Sequence, residues 1–247
     1  MLTHTLGFPR MGLARELKTA LEAHWAGSLS LDALLAVAAD LRLRHWRIQR
    51  EAGIDLVPVG DFSLYDHMLD AAARFGVVPP RYGHAGGPVA PDLYFRMARG
   101  GQDASGDVTA MEMTKWFDTN YHYIVPEFAR NQTFALVGDA LADQAREARD
   151  AGFAAKAVLP GPFTFLLCGK YADGAGDPLV LLPRLLPAYR ELLGRLAQTC
   201  PWIELDEPVL AQDLPDTLAA TFRDAYASLI AAAAPARLML ATYFGGI

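Results

Sequence analysis

Three groups of residues in this chain have types and spacings suited to chemistry. The first is Arg15 and Lys18 in the segment Arg10-Met11-Gly12-Leu13-Ala14-Arg15-Glu16-Leu17-Lys18. Residues three apart share a helical face, and a helix start adds free backbone N–H groups and a positive dipole end that favour an anion. The same residues would also serve as a solvated basic face, with Glu16 as an intrahelical partner. The second group runs from Glu112 through Met113, Thr114, Lys115, Trp116, Phe117, Asp118, Thr119, Asn120, Tyr121 and His122 to Tyr123. Lys115 can lay its stem on apolar surface and offer an ammonium to an anionic ligand, or it can pair with Glu112 or Asp118. His122, between two tyrosines, reads as a hydrogen-bonded core histidine. The third group, Asp206-Glu207-Pro208, could supply paired carboxylates for acid–base work, with Glu112 across a shared mouth.

Arg15, Lys18 and Lys115 together suit a ligand rich in carboxylates, such as the tail of a polyanionic small molecule. Other chemistries lack their residues. There is no Gly-rich phosphate loop, no Gly-x-Ser-x-Gly elbow and no His-Glu-x-x-His. Cys168 and Cys200 are the only cysteines, each in an apolar context, and they read as free buried thiols rather than a disulfide framework or zinc ligands.

These residues need a scaffold, and the hydrophobic pattern predicts one. Short apolar runs predict strands at 4–8, 54–59, 108–113, 157–160, 202–205 and 238–242. Longer periodic stretches predict helices at 13–25, 31–51, 64–75, 140–151, 179–198 and 216–233. Ser30 is the expected cap of the second helix and Gly53 its stop. Residues 82–105, rich in Gly, Pro and Ala, form a long excursion with one short helix at 92–98. Strands alternating with helices predict a parallel α/β sheet, whose strand C-termini form the mouth where ligands bind. Gly60, Asp61, Glu112, Thr114, Lys115, Gly161, Thr164, Asp206 and Glu207 all follow predicted strands.

Composition sets the outer bounds. The 247 residues are 52% hydrophobic and 20% charged, enough apolar material for a sizeable core, and the net charge of −6 argues against a nucleic-acid partner. The longest stretch without Asp, Glu, Lys or Arg, 157–169, is too short to span a bilayer, and charged residues break the first twenty, so a cytoplasmic protein with no membrane partner is expected. The expected fold is of the (βα)₈ TIM-barrel type but incomplete, with about six of eight strands and an open edge at the last one. Truncation is the simplest account of that edge.

Several of these segments resemble a known family. They are Leu6-Gly7-Phe8-Pro9-Arg10, Arg15-Glu16-Leu17-Lys18, the run from Gly53 to Phe62, the run from Glu112 to Tyr123, Gly161-Pro162-Phe163-Thr164-Phe165, Asp206-Glu207-Pro208 and Thr242-Tyr243-Phe244. In order and content they closely resemble the N-terminal half of cobalamin-independent methionine synthase. The resemblance implies an enzyme that transfers the methyl group of 5-methyltetrahydropteroyltri-L-glutamate to L-homocysteine, built from two face-to-face (βα)₈ barrels and using no cobalamin. It further implies that residues 1–247 are the first barrel, truncated, and that the zinc site and most of the substrate pocket lie in a second barrel, absent here and needed in cis or in trans. The family's tail-binding residues carry over to Arg15, Glu16, Leu17, Lys18 and Lys115, with no catalytic or metal-binding residue in this chain, which alone would be inactive. Glu204 stands where the resemblance leads one to expect Gln. Two other readings are a stand-alone, non-catalytic folate-binding or interaction module and a barrel hydrolase using Glu112 with Asp206 or Glu207.

Overall fold

The computed structural model describes residues 1–103, 106–215 and 217–245. Residues 104 and 105, at the end of the expected excursion, and residue 216, where the last helix was expected to start, lie outside the described residues, as do 246 and 247.

Four parallel strands form the main sheet. In spatial order they are β1 (Val57–Val59), β7 (Ala155–Pro160), β9 (Trp202–Asp206) and β10 (Arg237–Ala241). A single parallel bridge from His4 to Leu56 extends the edge beside β1. Chain order and sheet order agree, as expected when each crossover returns over the same face. Along β9, Ile203 and Leu205 turn to the helical layer while Glu204 and Asp206 turn to the opposite face, the two-residue period of a strand. In β7 all six residues are buried, which is usual for parallel strands covered on both sides.

The helices are α1 (Glu16–Trp25), α2 (Leu31–Glu51), α3 (His67–Arg74), α4 (Pro91–Arg99), α5 (Ala140–Asp150), α6 (Pro162–Leu167), α7 (Leu182–Leu196) and α8 (Leu218–Ala233). Ser30 caps α2, its hydroxyl accepting from the Ala33 amide at 3.2 Å, and Gly53 follows the helix with φ 86°, as the sequence predicts. Two apolar cores result. One joins the outer face of the sheet to α3, α5, α7 and α8, and the other joins α1, α2 and α4 around Leu17, Leu34, Phe95 and Met97.

Three expectations need correction. Residues 108–113 do not form a strand of the main sheet. The chain instead makes two short hairpins, β2 (Gly101–Asp103) with β3 (Gly106–Val108), and β4 (Met113–Lys115) with β5 (His122–Ile124). The apolar stretch between them is held by other partners, Met111 N–H donating to the Met97 carbonyl and Val125 N–H to that of Glu112. The expected strand at 4–8 reduces to the His4 bridge, so the main sheet has four strands rather than six. Finally, α1 begins at Glu16 rather than at 13, because Gly12 (φ 79°) and Arg15 (φ 61°) both leave the right-handed helical region. A remaining two-stranded parallel pair, β6 (Glu127–Phe128) with β8 (Lys170–Tyr171), flanks α6.

Candidate binding site

The C-terminal ends of the parallel strands open onto a cavity of about 490 Å³ lined by Arg10, Asp61, His67, Tyr121, Asp206 and Tyr243, among others. Arg10 is tied by its guanidinium to the carbonyls of Ser63 (3.0 Å), Leu64 (3.4 Å) and Tyr65 (2.5 Å), so the charge is positioned without an ion pair to a carboxylate among the described residues. The Asp61 carboxylate accepts the Phe8 amide at 2.8 Å, and burial pushes its pKa up to about 6. Gly60 turns the chain into the mouth at φ 91°, where a Cβ would strike the Val158 carbonyl.

Asp66 holds one wall together. Its Oδ2 caps α3 through the Leu69 amide (2.9 Å) and also accepts the Ile124 amide of β5 (3.0 Å). Its Oδ1 takes the Tyr121 hydroxyl at 2.9 Å. Burial opposes ionisation here, but the hydrogen bond and charge of His67 and the two amides outweigh it, and the pKa falls below its ordinary value. The hairpin β4–β5 that carries Lys115 is thereby fastened to the sheet mouth. His67 stacks on Tyr121 and meets Trp116 edge-on, which completes an aromatic rim.

Beneath the mouth lies a charged interior. Lys156 of β7 and Glu204 of β9 are both fully buried and form an ion pair. The ammonium also donates to the Thr5 carbonyl at 2.8 Å and lies 3.2 Å from His4 Nδ1. Asp206, one step up the same strand face, has its pKa raised by burial and by the neighbouring Glu204 charge. Sequence reasoning passed over Lys156, whose signal was a lone cation within an otherwise apolar run, and His67, for which no sequence signal stood out.

The predicted site residues fall in two places. Arg15 is exposed and caps α1 in the left-handed region (φ 61°, ψ 33°), with no side-chain bond among the described residues. Glu16 accepts the Ala14 amide (3.0 Å) and Arg44 (2.6 Å), and its own backbone amide, then Arg44 and the Ala14 amide, hold its carboxyl below the ordinary range. The Leu17 side chain is fully buried in the second core and its N–H donates to the Met11 carbonyl at 3.2 Å, so it anchors the segment. Lys18 reaches Glu22 at 3.5 Å on the helix surface. Lys115 stands exposed on β4 opposite His122, which is itself exposed and not a core residue. Its alternative partners are not used. Glu112 pairs with Lys170, and neither Glu112 nor Asp118 bonds Lys115 among the described residues.

The expected carboxylate pair does not converge. Asp206 faces the mouth, whereas Glu207 turns into the sheet-to-helix junction and accepts the Phe163 (3.1 Å) and Thr164 (2.6 Å) amides at the start of α6 and the Tyr226 hydroxyl (2.8 Å). Burial pushes its pKa up to about 7. Gly161 is required beside it, since a Cβ there would overlap the Glu207 carboxyl. Glu112 sits outside on its ion pair with Lys170, so the hydrolase reading loses its geometry. The thiols are equally unsuited to attack. Burial pushes Cys168 up to about 12 and Cys200 up to about 11, and both are free. The mouth is thus equipped to bind and orient a polar ligand.

Comparison with known proteins places this architecture. The family described as the cobalamin-independent synthase, N-terminal domain, matches residues 2–247. The chain belongs to that family. A 5-methyltetrahydropteroyltriglutamate–homocysteine methyltransferase of Syntrophotalea carbinolica is 54% identical over 247 residues, covering all of this chain and 32% of the relative. The protein of the same name from Nitrosomonas europaea is 50% identical over the same span, again covering 32% of its length. This chain therefore spans about a third of the length of these relatives. Among solved structures, a chain from Listeria monocytogenes described as a candidate vitamin-B12 independent methionine synthase aligns with a TM-score of 0.60 at 14% identity, over 97% of this chain and 65% of that one. A B12-independent methionine synthase from Shewanella sp. W3-18-1 aligns with a TM-score of 0.58 at 15% identity, over 86% of this chain and 53% of that one. At these identities the two structures support the α/β fold. No helix among the described residues is long and apolar enough to cross a membrane.

Proposed function

We propose that this chain is the tail-binding part of a methyltransferase that moves the methyl group of 5-methyltetrahydropteroyltri-L-glutamate to the sulfur of L-homocysteine, forming L-methionine. The observation that carries this reading is the match of the whole chain, at 54% identity, to a relative named for that reaction. The four parallel strands are read as an arc of a (βα)₈ barrel, completed by strands outside residues 1–247 and faced by a second barrel, in cis or in trans.

On this reading Arg15, Lys18 and Lys115 meet the carboxylates of the triglutamate tail. The exposure of Arg15 and Lys115 supports it, as does the lack of any ionic partner for either among the described residues, while half-buried Lys18 is already paired with Glu22. Glu16 and Leu17 act through position, one by holding Arg44 and the Ala14 amide, the other by pinning α1 to its core. Each charge-assisted contact is worth about 1.5–3 kcal/mol.

Zinc, which would activate the homocysteine thiol, does not fit the residues of this chain. Among the described residues no three His, Cys, Asp or Glu side chains are grouped to hold a metal, neither half-buried Cys168 nor buried Cys200 included. On this reading the chain's part is binding.

Titration calorimetry on the complete enzyme tests this. The triglutamate form should bind more tightly than the monoglutamate, and Lys115→Ala should erase most of that difference. An equal loss for both forms would refute a tail-reading role for Lys115. Methyl transfer by residues 1–247 alone, freed of metal, would refute the division of labour.

A further inference from the structure

We infer that the chain carries a second small-molecule site, on the helical side of the sheet, for a carboxylate with a short apolar body. A cavity of about 370 Å³ lies among α2, α3, α4 and α5, and shares no lining residue with the mouth cavity. That volume falls in the range of ligand pockets, about 300–1,000 Å³, and its walls are mostly apolar, including Leu35, Leu64, Val89, Leu136 and Leu192.

The polar groups around it decide the sign of the ligand. Most are already engaged. Arg42 gives Nε and Nη2 to Glu147 at 3.0 and 2.8 Å, Asp139 is paired with Arg195, and Asp143 with Arg146. Gln144 accepts the Gly60 amide at 3.1 Å, and Asp70 accepts the Tyr94 hydroxyl at 2.6 Å. Arg74 is different. This half-buried residue lines the cavity, its side chain makes no hydrogen bond among the described residues, and no carboxylate oxygen among them lies within 4.0 Å of it. Burial pushes its pKa down, while the nearest charge, Asp70, is itself pushed toward its neutral form.

A second donor set faces the same space. The first turn of α5, Ala140, Leu141 and Ala142, lines the cavity, and Asp139 makes no side-chain cap bond to it. The N–H groups of such a turn have no acceptor within the helix and carry the positive end of its dipole. The unmet polar demand is thus one guanidinium and one helix start, both complementary to a carboxylate, beside an apolar wall that suits an alkyl or aryl body.

The test uses hexanoate and 1-hexanol as probes on the full native polypeptide, by calorimetry, with circular dichroism to confirm folding. Hexanoate should bind about tenfold to a hundredfold more tightly than hexanol. Arg74→Gln should abolish that preference and leave hexanol binding unchanged. Leu136→Trp, which fills the apolar end, should weaken both probes by at least tenfold. Equal affinity for the two probes, a hexanoate preference that survives Arg74→Gln, or indifference of both probes to Leu136→Trp would each overturn the site. Should Arg74→Gln fail to fold, the hexanoate-to-hexanol ratio in the native protein and the Leu136→Trp result still decide it. A failure here leaves the tail-binding reading untouched, since no residue is shared.

Discussion

Lys156 and Glu204 meet inside the sheet as an ion pair from which solvent is fully excluded. The pair accounts for a carboxylate at position 204, because a buried lysine on the neighbouring strand needs a counter-charge. Taking two charges out of water costs several kcal/mol each, and only close partnering offsets it. The Thr5 carbonyl and His4 ring supply the remaining partners for the ammonium, tying the N-terminal segment to the sheet.

Breaking that pair from one side should therefore be severe. Lys156→Met leaves Glu204 buried without its cation and should lower stability by about 3–5 kcal/mol. The double variant Lys156→Met/Glu204→Gln should recover most of it. Urea midpoints for the two variants check this, and a double variant as unstable as the single would show that the charge pair is not the cause.

Glu207 predicts a pH dependence with a definite sign. Its pKa in the folded chain is about 7 against an ordinary 4.5, so the folded state holds the proton more tightly. Its contribution is complete below pH 4.5 and lost as pH rises through 7, a change of about 3 kcal/mol. Asp61, raised to about 6, acts in the same direction. Denaturation at a series of pH values should show stability falling over this window, and Glu207→Gln should flatten the fall.

Asp66 works the other way, since its folded pKa is lowered and its contribution disappears as pH falls. Asp66→Asn should cost about 2–3 kcal/mol, because its amide NH2 must replace one carboxylate oxygen and so faces either the Tyr121 hydroxyl or the Leu69 and Ile124 amides, all of them donors in the native chain. The Ile124 amide should exchange its hydrogen faster than in the native chain. Unchanged exchange there would mean that the hairpin does not depend on this carboxylate.

Arg15 separates stability from binding. Its left-handed backbone favours glycine, so Arg15→Gly should be more stable than Arg15→Ala by about 1 kcal/mol. Both should lose affinity for a triglutamate equally, since both lack the guanidinium. Melting curves and titrations of the two variants check the two halves independently.

The sequence shows some of this and hides the rest for physical reasons. Val158, Ile203 and Leu205 announce strands because parallel strands bury both faces, and Ser30 and Gly53 mark α2 because caps are local. The run around Val108 to Met111 misleads because an apolar segment can be buried against a helix as well as in a sheet, and periodicity does not tell the two apart. That Lys115 is a free cation is not legible locally, since the choice among Glu112, Asp118 and solvent depends on where Lys170 lands, 55 positions away in the chain. Glu207 misleads for a similar reason. Its neighbour Asp206 shares its chemistry, but β9 ends at Asp206 and Glu207 opens the turn that follows, so only Asp206 reaches the mouth.

The sheet order has a kinetic consequence. β7, β9 and β10 are joined by connections of about 40 and about 30 residues, whereas β1 must find β7 across about 100 residues of intervening chain. Contacts of long sequence separation repay their loop-closure entropy late. Folding should therefore assemble the β7–β9–β10 block first and close β1 against it afterwards. Pulse-labelled hydrogen exchange would see Leu205 protected before Val57, and the mouth, which needs Asp61 beside Asp206, would be among the last parts of the molecule to exist.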